Sequence, residues 1–393
     1  MNTNIMNIKI PDTIIGLGSV SQIGELVKSF ALTRAHIITD KGIAKAGIID
    51  TIKSPLDKAG LKVDITDDCE AEPGFSYLEK LSERVKAGKY DLLIGLGGGS
   101  VMDATKVISL LAANADMNLH DLAGGKTPEK VLTKILIPTT AGTGSEWSAS
   151  AVLHDDKADN KSVVIRTHQN MADAVIIDPE LTTNLPPRVT ADTGMDALSH
   201  AIEGYISPGA GALSDMFAST AIELVSDNLR LAYKGGKENL EARYNMCIAA
   251  AVSLRSGQLC GAPGLLHPMS ELLGAKARIT HGTTLTLLLP HIMEYTLVAY
   301  PEKFARIAEL MGENIKGLPV LDAAAKSVDA VRKLARDLYM PQKLSEASSI
   351  KITEADVIAW GEDFYMKFGP IMSKMSHRHA GPEDITRLFT AVL

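Results

Sequence analysis

Cysteine is scarce. Cys69, Cys247 and Cys260 are the whole supply in 393 residues, odd in number and without metal-ligand spacing. A disulfide framework is thereby excluded, and packed thiols in a reducing, cytoplasmic setting are expected. Basic charge is also short: 40 Lys and Arg against 47 Asp and Glu leave a net charge of −7. Nucleic acid and anionic membrane both call for basic surface, so neither is expected as a partner. No run of 18 apolar residues is present, and "MNTNIMNIKIPDT" lacks a charged stretch followed by an apolar block. Neither a bilayer span nor a secretory signal is expected. Repeats and low-complexity tracts are lacking as well. What is present is ordinary globular composition, 46% hydrophobic and 22% charged, at a length suited to two domains.

The first half alternates apolar strands with amphipathic helices. "AHIITD" (35–40), "LKVDIT" (61–66), "YDLLIGLGGGS" (90–100), "KILIPTT" (134–140) and "AVIIDP" (174–179) read as strands. Helices are expected near 43–59, 77–88 and 101–115. Continuously apolar strands separated by helices imply a parallel sheet covered on both faces, a doubly wound, Rossmann-like α/β domain. From about residue 188 the period becomes helical, with segments near 190–206, 213–232, 238–258, 283–298, 301–312, 320–338 and 353–366. "LPPRVT" (185–190) supplies the break, with Thr190 and Asp192 as candidate caps for the next helix. The expected division is a dinucleotide-binding domain over 1–185 and an all-α metal-binding, catalytic domain over 186–393.

"LIGLGGGSVMDATK" is a strand, a glycine turn and a helix start. Gly97, Gly98 and Gly99 let backbone approach a pyrophosphate, and Ser100 with the free helix N–H groups can bind the anion. A purely structural tight turn would look the same. A second loop, "PTTAGTGSE" (138–146), adds Thr139, Thr140, Thr143 and Ser145 as hydroxyl donors. Asp40, ending its strand, can accept from an adenosine ribose hydroxyl and would repel a 2′-phosphate, which favours NAD over NADP. Neither loop is a Walker loop, so ATP hydrolysis is not indicated.

In "TADTGMDALSHAIEGYIS" Asp196 and His200 lie four apart, one turn above the other on a helix otherwise built for burial. Such a pair is also what a salt bridge or a satisfied core histidine looks like. His267 and His281 follow beside turn or helix signals. One carboxylate and three imidazoles would suit a divalent transition metal, Fe²⁺ or Zn²⁺, although spacing does not establish that they converge.

The blocks "GLGGGSVMDATK", "IPTTAGTGSE", "DPELTTNLPPRVTADTGMDALSHAIEGYIS" and "GLLHP…THGTTLTLLLPHIMEY", in this order, carry a resemblance. The chain resembles the iron-dependent (group III) alcohol dehydrogenase family along nearly its full length. The resemblance implies that Asp196, His200, His267 and His281 hold the catalytic metal. It implies a dinucleotide at Gly97–Ser100 and Thr139–Thr140, catalytic roles for His281 and for the motif lysine at Lys161, and at least a homodimer. The implied reaction is NAD(H)-linked interconversion of a short primary alcohol and its aldehyde. The other readings are a zinc-type polyol or glycerol dehydrogenase, a dehydroquinate-synthase-type lyase, which the retained Asp196 argues against, and a catalytically silent nucleotide sensor.

Departures from the family pattern stand out. Glu271 replaces the usual second histidine, four after His267, and can relay protons or ligate. Lys276 and Arg278, or Arg166, could meet an anionic tail on the substrate, or be solvated charges or partners of Glu271. In "AEPGF" (71–75), Glu72 stands where relatives carry asparagine, so cofactor contact there is not expected. His377 and His379 in "SHRHAG" are expected to be solvated.

Overall fold

The structure, a computed structural model, describes residues 8–158, 161–261 and 264–393, without the side chains of Lys161 and Ser373. The chain divides into two compact units, Asn7–Asn184 and Leu185–Leu393. Among the described residues no helix is long and apolar enough to cross a membrane.

Among the described residues, eight strands lie in the first unit: β1 (Asp12–Ile15), β2 (Arg34–Ile38), β3 (Lys62–Thr66), β4 (Leu92–Gly97), β5 (Thr133–Pro138), β6 (Ser150–Asp155), β7 (Lys161–Arg166) and β8 (Ala174–Ile177). Six form one sheet in the order β1-β8-β5-β4-β2-β3. All of its pairings are parallel. β4 shows why the sheet is buried on both sides. Leu92, Ile94 and Leu96 point into a core with Ile23 and Val27 of the helix Ile23–Ser29 and Ile52 and Leu56 of the helix Ile48–Lys58. Leu93 points the other way, into a core with Phe75 and Leu78 of the helix Phe75–Gly88 and Val107 and Ile108 of the helix Gly99–Leu111. A period of two with both faces apolar is the signature of the central strand of a doubly wound sheet.

The five expected strands are β2, β3, β4, β5 and β8. β1 and the antiparallel ribbon β6–β7 are additions. The helix expected over 43–59 is two, Lys41–Lys45 and Ile48–Lys58, because Gly47 between them sits at φ +71. β3 and β4 flank β2 on opposite sides, so the strand order reverses there. In such sheets ligands bind beyond the carboxyl ends of the strands at that reversal.

The second unit is helical. Its main members are Pro187–Tyr205, Ala212–Gly235, Leu240–Leu259, Leu266–Ala277, His281–Thr296, Pro301–Leu310, Val320–Asp337, Glu354–Phe368 and Pro382–Thr390. Thr190 and Asp192 do not cap the helix that follows the prolines. It begins at Pro187 itself, which has the fixed φ of a first helical position and lacks only an N–H that would be orphaned anyway. Both candidates lie inside it. Thr190 accepts from Arg243, while Asp192 accepts from Thr280 and Thr283. The helix Leu266–Ala277 falls between the expected segments. Its first turn admits Pro268 because N–H groups there need no helical partner.

Gly282 is where the helix His281–Thr296 meets Pro187–Tyr205. A Cβ there would stand 2.4 Å from the Asp192 carbonyl oxygen, backbone that cannot swing away. Gly257, in the helix Leu240–Leu259, has nothing within 4 Å of its hypothetical Cβ. The two substitutions are therefore expected to differ in sign. Gly282→Ala should destabilise by about 1–3 kcal/mol through overpacking, and Gly257→Ala should stabilise by about 0.5–1 kcal/mol by restricting the unfolded chain. Thermal unfolding of both variants checks this, and midpoints moving the same way would contradict it.

Candidate active site

The glycine loop forms where β4 runs out. Gly97 ends the strand, Gly98 precedes the helix Gly99–Leu111 in extended conformation, and Gly99 and Ser100 open it. β5 pairs alongside with Pro138 opposite Gly97, and the Thr139 N–H donates to the Gly97 carbonyl at 3.0 Å. The second loop consequently lies against the first. A Cβ on Gly99 would meet Thr143 Cγ2 at 2.7 Å, and one on Gly98 would touch Thr140 at 3.4 Å. Thr139 is buried, whereas Gly98, Gly99, Ser100, Thr140 and Thr143 remain partly exposed. Bare backbone at a helix N-terminus, ringed by hydroxyls, is an arrangement that can cradle a phosphate and that side chains would fill.

Asp40 caps the helix Lys41–Lys45. Its Oδ1 accepts from Gly42 N at 2.7 Å and Ile43 N at 3.0 Å, so a ribose contact would fall to Oδ2. Glu72 takes a left-handed φ of +53, and its N–H donates to Ser100 Oγ at 3.1 Å. The 71–75 run thus touches the cradle through backbone, while the Glu72 carboxylate lies 3.6 Å from His154 Nε2. Lys161 opens β7, but its side chain lies outside the described residues.

A buried polar network that escaped the sequence reading underlies both loops. Lys106, fully buried, donates to Asp103 Oδ1 (3.1 Å), Ser145 Oγ (2.5 Å) and the Ser150 carbonyl (2.8 Å). Asp103 also accepts from Ser145 Oγ at 2.5 Å and from Val152 N at 2.8 Å. The Ser145 hydroxyl, expected at the cofactor, is therefore committed to holding its loop to the helix and to β6. Burial drives the Lys106 ammonium below its ordinary range, with Asp103 opposing. Next to Ser145, Glu146 is 2% exposed, and burial pushes its carboxyl up to about 7, with Lys106 pulling back.

In the helical unit the acid and the histidines do converge. Asp196 Oδ1 is 3.3 Å from His200 Nδ1, 3.6 Å from His267 Nε2 and 3.8 Å from His281 Nε2. Asp196, His200 and His267 each present one donor atom within 4.8 Å of the others. The rings of His200 and His267 stack at 4.1 Å, and those of His267 and His281 lie 5.5 Å apart. Asp196 Oδ1, His200 Nδ1 and His267 Nε2 are all buried with no hydrogen-bond partner. Leaving three such atoms unsatisfied costs about 1–3 kcal/mol apiece. One oxygen and several imidazole nitrogens aimed at a common point are the donor set for a divalent transition metal, and such an ion would satisfy all of them at once.

The electrostatics agree at Asp196 and His200. Burial alone would raise the Asp196 carboxyl, yet the surrounding imidazoles hold it well below the usual carboxylate range. Burial and the neighbouring His267 bring His200 down to about 3, keeping it in the neutral, ligating form. Burial also opposes a charge on His267, but Glu203 and Asp196 outweigh it and raise the ring, so a metal ion would bind there by displacing a proton from Nε2.

Two of the four ligand candidates, His281 and His267, have a support. His281 is the first residue of its helix, whose start is pinned by Asp192 through Thr280 and Thr283. Ser270 Oγ lies 3.3 Å from His281 Nδ1. Glu203 faces His267 Nδ1 within hydrogen-bond reach. Glu203 went unremarked in the sequence, although it lies seven after Asp196 on the same helix face. Glu271, one turn beyond His267 on its own helix, is half-buried and makes no ion pair among the described residues. Lys276 and Arg278 are exposed and do not pair with Glu271. His377 and His379 are exposed and not part of the converging donor group, His377 against the Tyr300 ring. All three cysteines are buried free thiols.

The sequence profile of iron-containing alcohol dehydrogenases matches residues 11–179, and that of the family's C-terminal region matches residues 190–390. A 1,3-propanediol dehydrogenase of Klebsiella pneumoniae is 37% identical over 396 residues, covering 99% of each chain. An NAD-dependent methanol dehydrogenase of Bacillus methanolicus is 33% identical over 387 residues, covering 98% of each. A crystal structure of a 1,3-propanediol oxidoreductase superposes with a TM-score of 0.92 at 33% identity, over 99% of this chain and 100% of that one.

Glu146 generates a pH prediction. Its carboxyl is raised from 4.5 to about 7 on folding, so across that window the folded state keeps a proton that the unfolded chain has released. Stability attached to this group is present below pH 4.5 and declines as pH rises through 7. Glu146→Gln is expected to raise the thermal midpoint at pH 8, by on the order of 2 kcal/mol of stability, and to change it little at pH 5. Equal shifts at both pH values would refute the assignment.

Proposed function

The chain belongs to the iron-containing alcohol dehydrogenase family, and from that membership we infer an NAD(H)-linked, metal-dependent oxidoreductase that interconverts a short primary alcohol and its aldehyde. The observation that supports this most is the convergence of three buried, unpartnered donor atoms on Asp196, His200 and His267. Those residues with His281 would hold the cation, iron first and zinc second. When bound, the metal supplies Lewis acidity toward the substrate oxygen and the nicotinamide supplies the hydride acceptor or donor.

The protein's own groups bind, orient and handle protons. Gly97, Gly98, Gly99 and Ser100 offer N–H groups and a hydroxyl to the pyrophosphate, and Thr139, Thr140 and Thr143 extend that cradle. Asp40 is proposed to select NAD, its free Oδ2 repelling a 2′-phosphate. Glu271 is the carboxylate proposed to hold and pass the hydroxyl proton, since it shares a helix face with His267. Lys161 is retained as a proposed catalytic residue on resemblance alone.

The proposed substrate is a short aldehyde, neutral or with an anionic tail, and Lys276 is a weak candidate among the cations proposed to meet such a tail. Lys276 lies nine residues past His267 on one helix, about 13.5 Å along its axis at 1.5 Å per residue. A two- or three-carbon aldehyde held at the cluster cannot carry its tail that far. Buried free thiols support a reducing, cytoplasmic setting. Assembly as a homodimer or larger homo-oligomer is proposed from family membership.

The test is NADH oxidation by iron- or zinc-loaded protein with a panel of neutral and anionic C1–C4 aldehydes. Turnover of short aldehydes from this panel is expected. His200→Ala should lower it by about 10³-fold, equivalent to about 4 kcal/mol of lost transition-state stabilisation, with NADH affinity unchanged. Tight NADH binding without turnover of any aldehyde would point instead to a nucleotide sensor.

A further inference from the structure

We infer that Glu203 is the positioning carboxylate of the metal centre, fixing His267 in the one tautomer and ring orientation that can ligate; this rests on the metal reading above. Asp196, His200 and Glu203 occupy positions i, i+4 and i+7 of the helix Pro187–Tyr205, so one face carries two candidate ligands and a third polar group beside them. The two Glu203 oxygens are used separately. Oε2 meets His267 Nδ1, and Oε1 accepts from Leu266 N at 2.7 Å. Leu266 is the first residue of the helix that carries His267, so one carboxylate grips both the ring and the backbone beneath it. The side chain is 10% exposed, and a Cβ on Gly264 would stand 2.0 Å from Oε1. That space admits the carboxylate only because residue 264 is glycine.

The chemistry follows from proton placement. A carboxylate only accepts, so Nδ1 must donate to it. The lone pair is then left on Nε2, which is buried, lacks a hydrogen-bond partner and lies 3.6 Å from Asp196 Oδ1. Histidines that bind metals commonly depend on such a partner, and losing it typically weakens metal binding 10–100-fold. A simpler role is that Glu203 merely satisfies the orphaned Leu266 N–H. Glutamine separates the two, because its carbonyl oxygen can still serve Leu266. Its NH₂ then faces Nδ1, which must turn acceptor, moving the ring proton to Nε2 and blocking ligation.

The experiment uses the full-length chain stripped of metal, titrated with Co²⁺ and followed by visible ligand-field absorption and bound-metal analysis. Wild type, Glu203→Gln, Gly264→Ala and His200→Ala are compared. Gly264→Ala crowds the carboxylate from the opposite side and leaves Glu203 itself intact. The expectation is about 10–100-fold weaker Co²⁺ binding in Glu203→Gln and Gly264→Ala, with an altered spectrum. The metal-free thermal midpoint of Glu203→Gln should stay near that of wild type. Wild-type affinity and spectrum in either folded variant, with binding lost in His200→Ala, would overturn the positioning role and leave the metal reading standing. A wild type that takes up no Co²⁺ would overturn the metal reading and the proposal with it.

Discussion

A single carboxylate oxygen, Asp196 Oδ1, sits out of water among three imidazoles without a hydrogen bond. Much of the helical unit follows from supporting that arrangement. The helix Pro187–Tyr205 carries the acid and one histidine, and its Asp192 anchors the start of the helix that opens with His281. The helix Leu266–Ala277 brings His267 to the same point, its first N–H taken by Glu203. Burial makes each of these groups costly alone. Shared by one cation, the same atoms would become a coordination site, which would account for their place on a helix otherwise packed with Met, Ala, Leu and Ile.

The sheet unit meets a different constraint by omission. Around Gly97–Ser100 the absence of side chains lets two loops touch and leaves helix N–H groups open. Beneath them the Lys106–Asp103–Ser145 network ties the second loop to the helix Gly99–Leu111 and to β6. Removing one member of a buried ion pair leaves the other uncompensated. The network accordingly holds the loop's place more firmly than the exposed ion pairs of the surface could.

The parts legible in the sequence were those encoded locally. An apolar strand running into three glycines announces β4 and its loop, and Asp196 with His200 are visible as an i, i+4 pair. Long helices in the second unit carry their period on their faces. β1 has four residues with no fully buried position, and β6 and β7 intersperse polar and exposed positions with buried ones, so no continuous apolar run marks them. The break at Gly47 depended on a backbone sign that composition does not reveal. Lys106 and Ser145 are 39 residues apart, and Glu203 and His267 are 64 apart, so their bonds exist only once the fold closes. Glu203 was in view on the right helix face, but periodicity cannot tell a ligand from the group that supports one. That Asp196, His200, His267 and His281 meet was implied by family resemblance; the geometry adds the distances and the orphaned atoms.

Anomalous diffraction from crystals of the iron- or zinc-loaded protein tests the shared-cation claim most directly. The predicted result is one metal peak in direct bonding contact with an Asp196 carboxylate oxygen and with ring nitrogens of His200, His267 and His281. A peak bound elsewhere, or one that leaves Asp196 outside its coordination sphere in catalytically active protein, would contradict it.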